Sequence, residues 1–151
     1  MSVAGTLASR PADVAEVRAV LDAIARGHHD RDARAISRHF APDAVVADLA
    51  PPLLQRGTNA DALQVWLDGW DEPVDTSYRD LAVTVSGDLA LCHGLVHTST
   101  TRGGEEAAWW ARMTAALART GDGWRVIHDH VSVPFYMDGS DRAALDLEPE
   151  A

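Results

Sequence analysis

At about residue 75 the hydrophobic period of the chain changes from 3.6 residues to 2, and it keeps the new period almost to residue 135. Four strand-like segments follow one another, at 76–86, 89–101, 105–119 and 123–135. Only Gly87-Asp88, Arg102-Gly103-Gly104 and Gly121-Asp122-Gly123 separate them. Glycine-containing breaks this short read as hairpins, so the four segments form an antiparallel meander. Each is longer than the usual ~5–6 residues. Long strands in a small sheet twist and bulge, which curves the sheet and gives it a concave side that other elements must close.

The first half supplies those elements. Pro11 and Asp13 provide helix-start chemistry, and Val14, Val17, Leu21 and Ile24 recur at helical spacing, with His28 on the same face and Gly27 near the end. Asp32 caps a second helix whose apolar face is Ala33, Ile36 and Phe40, and Pro42 stops it. A short strand at 44–49 puts Val45, Ala47 and Leu49 on one face and Val46 and Asp48 on the other. Pro51-Pro52 and Gly57 bracket a loop. Thr58, with Asp61 three residues on, then starts a third helix with Leu63, Trp66, Leu67 and Trp70 as its buried stripe. This order predicts an α+β fold, a cone-shaped roll with three N-terminal helices packed on a strongly curved, mainly antiparallel sheet. Residues 1–12 read as a disordered N-terminus, 13–136 as one domain, and 137–151 as an acidic tail whose Leu145 and Leu147 are available to dock.

The charge excludes some partners. Thirteen basic residues are scattered among 23 acids for a net charge of -10, which argues against nucleic acid and against an anionic membrane surface. The single Cys92 sits in an apolar run and reads as a small buried thiol. Residues 1–10 lack the apolar stretch of a signal peptide, and no run approaches the ~20 apolar residues of a membrane span, so a cytoplasmic protein is expected. GxSxG, P-loop, GxGxxG, HExxH and CxxC motifs are all missing, and no cofactor is expected.

Strict alternation along the last strand gives one face with Trp124, Val126, His128, His130 and Ser132, and another with Arg125, Ile127, Asp129, Val131 and Val133. Two imidazoles and a hydroxyl on an otherwise apolar face read as a lining. His93 and His97 share a face of the second long strand, and Trp110 and Arg112 share a face of the third. A guanidinium in mid-strand among apolar neighbours is costly unless paired, so Arg112 reads as a pocket cation for a carboxylate or enolate, or as the partner of Asp48. Asp48, just before the Pro-Pro loop, reads as a carboxylate with a raised pKa that serves as general base. The candidate catalytic set is therefore Asp48, Arg112 and His130, with Trp66, Trp110, His93, His97, His128, Ser132 and Tyr136 as ligand-binding residues. His-x-His pairs on strands are also how sheets hold transition metals. Here the two strands are separated by a third, and no metal site is expected.

Several stretches together resemble the SnoaL-like, ketosteroid-isomerase-like proteins of the nuclear transport factor 2-like superfamily. They are Phe40-Ala-Pro-Asp-Ala-Val-Val-Ala-Asp48, Arg56-Gly57 before the third helix, Arg112-Met-Thr, and Gly123-Trp-Arg-Val-Ile-His-Asp-His-Val-Ser132. The resemblance spans about residues 13–136 and implies a cone with an apolar cavity and a homodimer built through the outer face of the sheet. It also implies a general base at the end of the first strand, where Asp48 falls. The isomerases add a helix tyrosine and a protonated acid on a late strand. Ile24 stands near the tyrosine position and residues 110–116 offer no acid, so the steroid-isomerase oxyanion pair is missing. Three functions follow. The first is an isomerase-, lyase- or cyclase-type acid–base enzyme acting on a carbonyl-containing apolar metabolite. The second is a non-catalytic module that dimerises or binds a small apolar or carboxylate-bearing ligand. The third is a histidine metalloprotein.

Overall fold

A computed structural model of the protein describes residues 9–151. The three helices among them are α1 (Pro11–His29), α2 (Ala33–Ser37) and, after the first two strands, α3 (Ala60–Asp68). Pro11 occupies the first turn of α1, where its missing N–H costs nothing. The Asp32 carboxylate caps α2 by accepting from Ala35 N–H at 2.8 Å. Asn59, one residue beyond the expected Thr58, caps α3 by accepting from Ala62 N–H at 3.0 Å.

The six strands are β1 (Phe40–Ala47), β2 (Gln55–Arg56), β3 (Asp75–Ser86), β4 (Leu89–Arg102), β5 (Glu105–Thr120) and β6 (Gly123–Ser132). They form one sheet in the order β2-β1-β6-β5-β4-β3. The meander β3-β4-β5-β6 is antiparallel throughout, and β1 joins it parallel to β6. Helix α1 lies along β3 on the concave side. Its Val17, Leu21 and Ile24 join Leu67, Val74, Cys92, Leu117, Trp124 and Val126 in one apolar core. Each such side chain contributes about 1.5–3 kcal/mol by leaving water. Among the described residues no helix is long and apolar enough to cross a membrane.

Three local expectations are corrected. Helix α2 ends at Ser37, so Phe40 begins a strand, and Pro42 sits inside β1 where the register against β6 shifts. A proline lacks a ladder donor and is tolerated at such an irregularity. Residues 1–8 of the N-terminal segment lie outside the described residues. Residues 9–12 are ordered: the Ser9 hydroxyl accepts from Val85 N–H at 2.7 Å and Pro11 opens α1. The tail is fixed through Ala144, which is buried and whose N–H donates to Pro134 at 2.9 Å, while Leu145 and Leu147 stay half-exposed.

Two bulges curve the sheet. In β3 the register against β4 shifts between Arg79 and Ala82, with Asp80 at φ 55°. The bulged backbone presses on Gly94 of β4, where an added Cβ would stand 3.0 Å from the Arg79 carbonyl oxygen. In β6, Leu117 pairs with Val126 but Ala116 pairs with His128, so Ile127 has no partner on β5. One extra residue exchanges the two faces of everything beyond it.

Candidate functional site

The β6 bulge decides which side chains enter the cone. Trp124 and Val126 face the core before it, and after it Asp129 and Val131 take that face. They border a cavity of about 400 Å³. Val96 and Thr98 of β4 line it, as do Trp109, Ala111, Met113 and Ala115 of β5. Helix α1 contributes Leu21, Ile24 and His28, and α3 contributes Leu63 and Trp66. Asp48 and the Leu49–Pro52 loop form part of the lining at the end of β1.

Asp129 is the chemically unusual residue. Burial, and secondarily the negative charge of Asp48, push its carboxyl from an ordinary 3.8 up to about 7, against the opposing effect of a hydrogen bond from His130 N–H. Register brings the two acids together. Val46 pairs with Asp129, and Asp48, which follows the end of β1 two residues further on, lines the same cavity. Asp48 itself is exposed and accepts from Leu49 N–H at 2.7 Å.

His28 faces the same cavity from the last turn of α1. Its Nδ1 lies 2.9 Å from the carbonyl oxygen of Ile24. A carbonyl only accepts, so Nδ1 carries the hydrogen and Nε2 keeps its lone pair. Burial holds the imidazole below its usual range, more strongly than the Ile24 bond and the charge of Asp48 raise it. Neutral pH therefore finds in one cavity an uncharged imidazole and a carboxyl that still holds its proton part of the time. Tyr78 of β3 also lines the cavity. Its hydroxyl donates to Leu21 at 3.3 Å, and burial, then Asp129, raise its pKa.

Of the residues singled out from sequence, Asp48 and Trp66 line the cavity. The others do not. His97 pairs with Trp110, Leu95 with Arg112, Arg112 with Ser132, and Thr114 with both His93 and His130. These residues alternate with the cavity-facing ones, so they occupy the convex outer face, where His97 stacks on Trp110 with ring centroids 4.7 Å apart. His128 and His130 join them because Ile127 exchanges the faces. Arg112 is exposed and does not meet Asp48 in the cavity, which removes the cation expected to hold a carboxylate ligand. The Tyr136 hydroxyl donates to Asp146 at 2.8 Å beyond the end of β6. Among the described residues no three His, Cys, Asp or Glu side chains are placed to hold a metal ion. Cys92 is fully buried, and burial pushes its thiol up to about 11.

Residues 17–136 match the model of the SnoaL-like domain. The chain belongs to the SnoaL-like family. Solved structures of nuclear transport factor 2-like (NTF2-like) proteins share its fold. One, an NTF2-like protein of unknown function from Pseudomonas putida KT2440, is 29% identical over 94% of this chain and 100% of that one, with a TM-score of 0.83. A proposed dehydratase of the NTF2-like family from Streptomyces avermitilis is 18% identical over 82% of this chain and 97% of its own, at a TM-score of 0.69. An NTF2-like protein with a cystatin-like fold from Novosphingobium aromaticivorans is 21% identical over 87% and 86%, at 0.67. No curated protein matches the chain. Within this SnoaL-like cone, Asp129, His28 and Tyr78 are the titratable lining residues that sequence reading passed over.

Proposed function

We propose that the protein is an acid–base enzyme that moves protons on an apolar, carbonyl-containing metabolite inside the cone, without a cofactor. The observation that carries this reading is the Asp129 carboxyl, raised to about 7 in a cavity that also holds the lowered imidazole of His28. Environments that push an acid up and a base down give one site both roles at neutral pH. His28 Nε2 takes a proton from the carbon next to the substrate carbonyl, and the electron pair moves onto the carbonyl oxygen. Protonated Asp129 donates to that oxygen. In a β,γ-unsaturated substrate, return of the His28 proton to the γ-carbon, as Asp129 recovers its own from the dienol oxygen, completes an isomerisation. In a β-hydroxy substrate the enol expels the hydroxyl, which leaves as water with the His28 proton while Asp129 recovers its own, and this completes a dehydration. The proposed dehydratase among the structural neighbours is in keeping with the second outcome.

The test is proton exchange in D₂O with a panel of apolar ketones, followed by NMR. Exchange next to the carbonyl is expected to run above the buffer rate and to fall at least about a hundredfold in Asp129→Asn, the size of a typical acid–base contribution. Buffer-rate exchange for the whole panel, or full activity in Asp129→Asn, overturns the reading.

A homodimer through the outer sheet face belongs to the same proposal. The half-exposed Leu89 and Leu91, together with the Trp110–His97 stack, supply that face with apolar surface. Sedimentation of Trp110→Glu is expected to show a monomer where the parent sediments as a dimer.

A further inference from the structure

The cavity has an electrostatic character that the proton-transfer reading does not use. All 13 basic residues of the chain are arginines, and none of them lines the cavity. Two carboxyls do line it, those of Asp129 and Asp48. The ion pairs found among the described residues bind other acids, and Asp129 takes part in none of them. A carboxyl kept in an apolar site without a cation is an energetic cost to the fold, which a cation arriving from outside offsets. The lining also holds the aromatic side chains of Trp66, Trp109, Tyr78 and Phe40, whose π-systems attract cations. The net charge of -10 draws cations toward the molecule and repels anions.

We infer that the cavity takes an apolar amine, with the ligand's ammonium group between Asp129 and Asp48 and its hydrocarbon body against the aromatic walls. The inference rests on the cavity being the ligand site; an ammonium beside Asp129 holds that carboxyl ionised, so the amine occupies the cavity in place of a ketone substrate. A carboxylate of equal size meets two acids and no guanidinium there, and is rejected.

Three two-ring probes of matched shape test this by titration calorimetry at about pH 8: 2-naphthylmethylamine, 2-naphthalenemethanol and 2-naphthoate. The amine is expected to bind at least about tenfold more tightly than the alcohol, and the carboxylate most weakly. Asp129→Asn, an isosteric change, is expected to remove the amine's advantage and leave the alcohol within about twofold of the parent. Asp48→Asn, an isosteric change at an exposed position, reduces the advantage in part. An alcohol or carboxylate that binds as tightly as the amine overturns the inference. So does an amine advantage that survives both substitutions, or no binding of any probe up to about 1 mM. Proton exchange on ketones is a separate readout. Asp129-dependent exchange without amine preference overturns the amine alone, and amine preference without exchange overturns the proton-transfer reading alone.

Discussion

Asp48 stands two residues beyond Val46, the β1 partner of Asp129, so the two carboxyls border one cavity and the charge of one raises the pKa of the other. Neighbouring carboxyls in a poorly solvated place do not both ionise freely. The exposed Asp48 has water to solvate it. Asp129, deeper in the cone, keeps its proton to about 7.

That arrangement makes stability fall as pH rises. Above 3.8 the unfolded chain releases the Asp129 proton, while the folded chain holds it to about 7, so the folded state binds more protons across that window. The stabilisation is complete below 3.8 and is lost as pH passes about 7. Its full size is roughly 4 kcal/mol. Asp129→Asn removes the dependence. The variant is expected to melt several degrees above the parent at about pH 8, with a smaller difference at about pH 5, as read by calorimetry at both pH values.

His28 acts in the opposite direction. Its folded pKa lies below 6.5, so the unfolded chain gains a proton first as pH falls. Stability is therefore intact above 6.5 and declines below it, and His39, also lowered chiefly by burial, adds to the decline. In an Asp129→Asn background, where no carboxyl offsets it, His28→Gln is expected to shrink the loss between about pH 6.5 and pH 5 without abolishing it. Urea titrations across that range measure the change.

Gly94 has no room for a side chain. A Cβ there meets the Arg79 carbonyl oxygen at 3.0 Å, the Leu81 Cα at 3.1 Å and the Asp80 carbonyl oxygen at 3.2 Å, all of them backbone atoms. Gly94→Ala is expected to cost about 1–3 kcal/mol by forcing the β3 bulge outward. A denaturation midpoint equal to that of the parent contradicts this.

Arg112→Ala and His130→Ala alter only the outer face. Exchange activity and probe affinity are expected to stay within about twofold of the parent in the monomer, whereas Trp66→Ala, which removes a cavity wall, weakens probe binding by about tenfold or more. Calorimetry on the three variants separates the two faces.

The class of fold is legible in the sequence because the period-2 stretch, the glycine breaks and the helical stripes all point the same way. The site is less so. Alternation carried unbroken from Trp124 places His128, His130 and Ser132 inside the cone, but the large apolar residues of β6 do not keep that phase. They fall at Trp124 and Val126, then at Val131 and Val133. Strand β3 has the same break, with Thr76 and Tyr78 in one phase and Leu81, Val83 and Val85 in the other. Such a phase change requires an extra residue, and both strands have a bulge at that point. Reading the phase would have turned Asp129 inward. The lowered imidazole of His28 depends on burial and on the Ile24 carbonyl, which helical spacing alone does not reveal.

The most direct test is an NMR titration of protein labelled with ¹³C at the aspartate carboxyl carbons, from about pH 3 to pH 9. One resonance is expected to titrate with a midpoint near 7 and to be missing from Asp129→Asn. If the Asp129 resonance titrates near or below about 4, the cone holds no proton carrier at neutral pH, which contradicts the proposed reaction.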